Sequence, residues 1–192
     1  MRVWRISNFA DLSGEGGLRT EGRWHSGGRK IVYMGDHAAS TMVEMLVHFD
    51  IRSTDIPRTF QLLAIDLPDD VSFAGVELGD LPVGWLNKPH MTRAIGDRWL
   101  AETATALLRV PSAIVPAAFN WLLNPNHRDA ARIKIVEIIE APFDPRLLGM
   151  AQSAETRQAR ARAPRGQGRS PRPSGGRGRR RKRRPSPAGS NG

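Results

Sequence analysis

The chain has 192 residues, no cysteine and a formal net charge of +10, with a sequence pI near 11.3. The missing cysteine excludes disulfides, thiolate zinc sites and cysteine nucleophiles, and the length suits one domain with a real core plus an appendage. The charge sits at one end: residues 151–192 hold 13 Lys+Arg and one acid, Glu155, leaving 16 basic and 18 acidic residues in 1–150. The pI therefore describes a tail, and the domain ahead of it is close to neutral.

Met1-Arg2-Val3-Trp4-Arg5-Ile6 leads into polar Ser7-Asn8 without the apolar run of a signal peptide. No stretch approaches the roughly 18–20 apolar residues that span a bilayer. A cytoplasmic protein is the expectation. Val3–Ile6 predicts a first strand, and residues 11–29, with six glycines, an irregular loop. Lys30–Met34 predicts a short strand closed by Gly35-Asp36, with Asp36 as N-cap of a helix over about 38–49. Phe60–Leu67 and Val71–Leu78 read as strands, separated by Pro68.

Pro82, Gly84 and Pro89 break the chain before a helix over Thr92–Thr105 with Ile95, Trp99 and Leu100 on one face. Leu107–Val110 predicts a strand, Ala117–Leu123 a helical turn stopped by Asn124-Pro125, and Ile133–Ile139 the last strand. Strands scattered among helices without regular alternation predict an α+β fold, a mixed sheet flanked by helices, over residues 1–150. Residues 157–192 contain no aromatic or branched aliphatic side chain. Such a composition cannot offset an ordering cost of roughly 1–2 kcal/mol per residue, so 151–192 is expected to be disordered.

Four side chains between residues 22 and 44, Arg23, His25, Tyr33 and Glu44, carry chemical potential. Arg23, beside glycines, presents a planar fork suited to phosphate, or is a surface arginine on a loop. Tyr33, the one tyrosine in the chain, is a strand core residue or a platform for a flat cationic ring. Glu44 lies in a helix that is apolar almost all round, where a lone carboxylate is costly. It shares a face with His48, or closes a Thr41-x-x-Glu44 capping box. Ser112 and Asn124, next to prolines, read as turn residues. No Walker loop, GxGxxG, GxSxG or HExxH occurs, and the five histidines show no metal-ligand spacing.

In order along the chain, Gly22-Arg23-Trp24-His25, Val32-Tyr33, Glu44-Met45-Leu46-Val47-His48, Leu81-Pro82-x-Gly84-Trp85, Gly96-Asp97-x-Trp99-Leu100, Val110-Pro111-Ser112 and Leu123-Asn124-Pro125-x-His127 resemble the RES-domain toxins of bacterial toxin–antitoxin pairs. The resemblance runs from Met1 to Leu147. It implies a fold similar to ADP-ribosyltransferase toxins and action on NAD+ as substrate, with no metal. It implies Arg23, Glu44 and Ser112 as the catalytic trio and Arg23, Tyr33 and Asn124 as NAD+-binding residues. Members deplete NAD+ by hydrolysis or phosphorolysis or ADP-ribosylate a host enzyme, and their partner is an antitoxin with an Xre-like helix-turn-helix. Arg128 stands where the family commonly has proline. The basic tail has no counterpart in the pattern, and its six consecutive basic residues, Arg179–Arg184, carry the footprint of a non-specific nucleic-acid binder.

Overall fold

In the computed structural model, which describes residues 1–48, 59–144 and 146–147, seven strands form one mixed sheet. They are β1 (Arg2–Ile6), β2 (Val32–Gly35), β3 (Thr59–Asp66), β4 (Phe73–Gly75), β5 (Leu107–Pro111), β6 (Phe119–Leu123) and β7 (Lys134–Pro142). Their spatial order is β4-β5-β6-β2-β1-β3-β7, with β4–β5 parallel and every other pair antiparallel. The helices are α1 (Gly16–Arg19), α2 (Ala38–His48) and α3 (Pro89–Glu102). The α+β class and the mixed sheet agree with the sequence expectation.

The sheet separates two apolar clusters. Val3, Met34, Leu63, Ile65, Leu107, Trp121 and Leu123 form one. Trp24, Val110, Leu108, Leu122 and the α3 residues Trp99 and Leu100 form the other. Each fully buried aliphatic side chain contributes about 1.5–3 kcal/mol, so both faces of the central strands stabilise the domain. Gly96 fixes how closely α3 seats: a Cβ there would collide with the Trp24 carbonyl oxygen.

Several local expectations are corrected. Ala117–Leu123 is not a helical turn: Phe119–Leu123 is β6, held between β5 and β2. Its Trp121, Leu122 and Leu123 are buried on alternate faces, and a strand covered on both sides loses its polar alternation. The Val71–Leu78 strand shrinks to β4, followed by a 3-10 turn at Leu78–Asp80. Residues 11–29 include the short α1, and α3 begins at Pro89, whose missing N–H costs nothing in a first turn. Arg128 likewise opens a 3-10 turn, capped by the His127 side chain.

The N-cap of α2 is His37, whose Nδ1 accepts from the Ala39 N–H at 3.1 Å. Asp36 instead accepts from Ser40 Oγ and from the Phe119 N–H, so it ties the start of α2 to β6. Thr41 donates to the His37 carbonyl, which removes the capping-box reading of Glu44. The His48 side chain, and with it the Glu44–His48 pairing, lies outside what the structure describes, as do segment 151–192, expected to be disordered, and its basic run. Among the described residues no helix is long and apolar enough to cross a membrane.

Candidate active site

The ladder between β1 and β2 is registered at Trp4↔Gly35 alone, and the two strands diverge beyond it. A cavity of about 440 Å³ opens there, within the roughly 300–1,000 Å³ usual for small-molecule sites. Arg5 and Ile6 of β1, Tyr33 and Met34 of β2, the loop 20–25, Glu44 and Met45 of α2, and Asn120 of β6 line it. Three residues singled out in sequence, Arg23, Tyr33 and Glu44, face this one cavity.

Glu44 is held by a single oxygen. Its Oε1 accepts from Ser112 Oγ at 2.6 Å and from Asn120 Nδ2 at 2.9 Å. Ser112 Oγ in turn accepts the Ile114 and Val115 N–H groups at 3.1 and 2.8 Å. Its proton and lone pairs are therefore committed, and it serves as a bracket for the carboxylate rather than as a nucleophile. Oε2 has no hydrogen-bond partner among the described residues, and the carboxylate stands half-buried at the cavity wall. Charge-assisted bonds of this kind contribute roughly 1.5–3 kcal/mol each.

Two arginines converge on the same space. Arg23 Nη1 donates to the Leu86 carbonyl at 2.8 Å, and the Arg23 carbonyl accepts from Thr92 Oγ1 at 2.6 Å, so α3 anchors its backbone. Arg5 donates through Nη1 to the Tyr33 carbonyl at 3.1 Å, while its buried Nε finds no partner among the described residues. Burial pushes its pKa down, and the acid whose field opposes this is Asp11. A guanidinium kept in a cavity wall with spare donors is suited to an anion that brings its own charge.

Tyr33 and His25 form the floor of the loop that carries Arg23. His25 Nε2 lies 3.1 Å from the Thr20 carbonyl, which can only accept, so Nε2 bears the hydrogen. Burial holds the imidazole pKa below its ordinary value. In the neutral ring Nδ1 is then the acceptor, and the Tyr33 hydroxyl donates to it at 2.9 Å while accepting the Trp24 N–H at 3.1 Å. Burial also pushes the Tyr33 phenol well above its usual range. The hydroxyl is thus spent on structure, and the ring is what Tyr33 can offer a ligand.

Asn124 lies apart from this group. It is buried at the end of β6, off the cavity lining, where its Oδ1 accepts the Asn126 N–H at 3.0 Å and closes a turn. Arg5 and Asn120 are the cavity residues sequence reasoning passed over. The signal for Asn120 was a polar residue inside the apolar run Phe119–Leu123; for Arg5 it was a cation within a first strand. No group of three or more His, Asp or Glu gathers as a metal ion requires, among the described residues.

Residues 2–144 match the RES domain family. A Pseudomonas putida protein named Toxin Res is 49% identical over 135 residues, covering 70% of this chain and 92% of that protein. The Prs ADP-ribosylating toxin of a Sphingobium species is 39% identical over 159 residues, covering 77% and 97%. A chain of the M. tuberculosis MbcT–MbcA toxin–antitoxin complex shares the fold, with a TM-score of 0.56 at 16% identity over 79% of this chain and 88% of that one. With residues 2–144 matched and its cavity built from the matched residues, the chain belongs to the RES-domain family.

Proposed function

We propose that this protein is the toxin of a toxin–antitoxin pair and cleaves the nicotinamide–ribose bond of NAD+. The observation that carries the reading is Glu44: a carboxylate fixed through one oxygen by Ser112 and Asn120, with no partner for the other oxygen among the described residues, in a cavity shared with Arg5, Arg23 and Tyr33. The two guanidinium groups would hold the diphosphate, and the Tyr33 ring would lie against the nicotinamide. As the carbon–nitrogen bond breaks, its electron pair leaves with nicotinamide and positive charge builds on the ribose. Glu44 would stabilise that charge and bind the ribose hydroxyls. At about 4 Å and an effective dielectric near 20, two unit charges interact by about 4 kcal/mol, enough for a hundred-fold or greater effect on rate.

The incoming group decides the product. Water gives ADP-ribose and a proton, phosphate gives the ADP-ribose 1″-phosphate, and a protein side chain gives an ADP-ribosylated target. The third outcome is favoured by one fact, the 39% identical relative named as an ADP-ribosylating toxin. The proposed partner that silences the protein is an antitoxin of the Xre helix-turn-helix type. Purified protein with NAD+ should release nicotinamide, and Glu44→Gln should lower the rate about 10²–10³-fold, the usual loss for one such electrostatic group. No nicotinamide from the wild type, with phosphate, without it and with cell extract as acceptor, would sink the reading.

A further inference from the structure

Residues 20–25 fold back over Tyr33 in a closed chain of hydrogen bonds. The Trp24 N–H donates to Tyr33 Oη, Tyr33 Oη–H donates to His25 Nδ1, and His25 Nε2–H donates to the Thr20 carbonyl. The Gly22 N–H also donates to the His25 carbonyl at 3.0 Å. The loop sits so close that a Cβ on Gly22 would lie 2.5 Å from Tyr33 Oη and 2.8 Å from His25 Nδ1. Arg23 is inside this ring of contacts, two residues from His25, and lines the cavity, with its Nη1 donating to the Leu86 carbonyl.

We propose that His25 is a positioning residue: its neutral imidazole braces the Arg23 loop against β2 and so sets where the Arg23 guanidinium meets an anionic ligand. The brace works in one protonation state. An imidazolium donates from both nitrogens, so the bond to Tyr33 must reverse: Oη would have to accept from Nδ1 as well as from the Trp24 N–H, and the hydroxyl proton loses its acceptor in the cradle. The charged groups around the ring are Arg93 and Asp97 of α3 together with Glu21 and Arg29. Arg93 pairs with Glu21 at 2.8 Å and Asp97 with Arg29 at 3.1 Å, so the nearby charges are largely neutralised in pairs. Asp97 also accepts the Ser26 N–H at 2.9 Å, which pins the far side of His25 to α3.

The kinetic consequence rests on the NAD+ reading, but the brace itself has its own readout. Histidine ring nitrogens observed by NMR in the whole protein at pH 7.5 should show His25 with the hydrogen on Nε2. Tyr33→Phe removes the donor to Nδ1 and should raise the His25 pKa and speed amide exchange at Gly22–Trp24. A hydrogen on Nδ1, or an unchanged pKa and exchange in Tyr33→Phe, overturns the brace whether or not NAD+ is the substrate. In nicotinamide release, His25→Gln should raise KM for NAD+ about tenfold and leave kcat within about threefold, because ground state and transition state lose the same contact. In an Arg23→Met background the same substitution should change KM less than about twofold, since the brace acts through Arg23. A full tenfold effect without Arg23 overturns the positioning role, whereas no turnover by the wild type overturns only the NAD+ reading.

Discussion

Glu44 gains its orientation from residues far along the chain, and its two donors share one oxygen. Ser112→Ala and Asn120→Ala should each lower kcat/KM for nicotinamide release about 10–100-fold, and the double variant should lose less than the product of the two. That non-additivity is expected when two groups hold a third in place; additive losses measured by steady-state kinetics would mean independent roles. His25 gives the pH prediction. Its folded pKa is depressed, so the unfolded chain binds the extra proton, and stability falls as pH drops below about 6.5. The melting temperature should therefore fall between pH 7 and 5, and His25→Asn should flatten that slope. Only Glu44 was legible as a residue out of place in its local pattern; Arg23 and Tyr33 are ordinary in theirs and were picked out by the ordered motifs that resemble the family. Arg5 and Asn120 carried only the weak signal of a polar residue within a strand, which does not tell a cavity wall from a wet face.

At the scale of elements, the tightest joint is between α3 and the Trp24 loop. Gly96→Ala would press a methyl group into the Trp24 carbonyl. Overpacking of this kind costs about 1–3 kcal/mol, a melting-temperature loss of about 2–12 °C in a domain of this size, read by calorimetry. Nothing in the sequence announces that Gly96 has a contact rather than a helix-breaking role. The sheet edge at β7 exposes Val136, Ile138 and Ile139, yet a bulge opposite Ala64/Ile65 and the charges of Glu137 and Glu140 spoil it as a template for another strand. Glu137→Val with Glu140→Val should produce concentration-dependent association in light scattering while the parent stays dispersed. Strands in which charged residues interrupt the apolar ones, such as β1 and β7, were visible as patterns. β6 was misread because both its faces are dry.

At the scale of the whole molecule, the sheet order places β2 between β1 and β6, so the cavity wall joins the two halves of the chain. Topology of this kind is written in long-range pairings that no local window contains. The uneven charge, by contrast, was fully readable, and it separates the proposed catalysis from the expected nucleic-acid binding of the tail. Truncation after residue 150 should leave nicotinamide release within about twofold. The same truncation should abolish any binding to single-stranded nucleic acid, whose log affinity in the full chain should fall with log salt at a slope of about −0.7 per phosphate contacted. Salt-independent binding, or activity lost on truncation, would contradict the division.

The separation between Glu44 and its anchors also has a meaning in time. Ser112 and Asn120 follow it by 68 and 76 residues. At about 5–20 residues per second, a ribosome needs about 4–15 s to add the 76 residues from Glu44 to Asn120. Until Ser112 is added, the nascent chain already carries Arg5, Arg23, Tyr33 and Glu44, but the carboxylate has neither of these two anchors. A message broken before the codon for Ser112 would yield a peptide with most of the cavity's charges and no fixed geometry among them. The protein becomes an assembled site only when translation is nearly through its folded part.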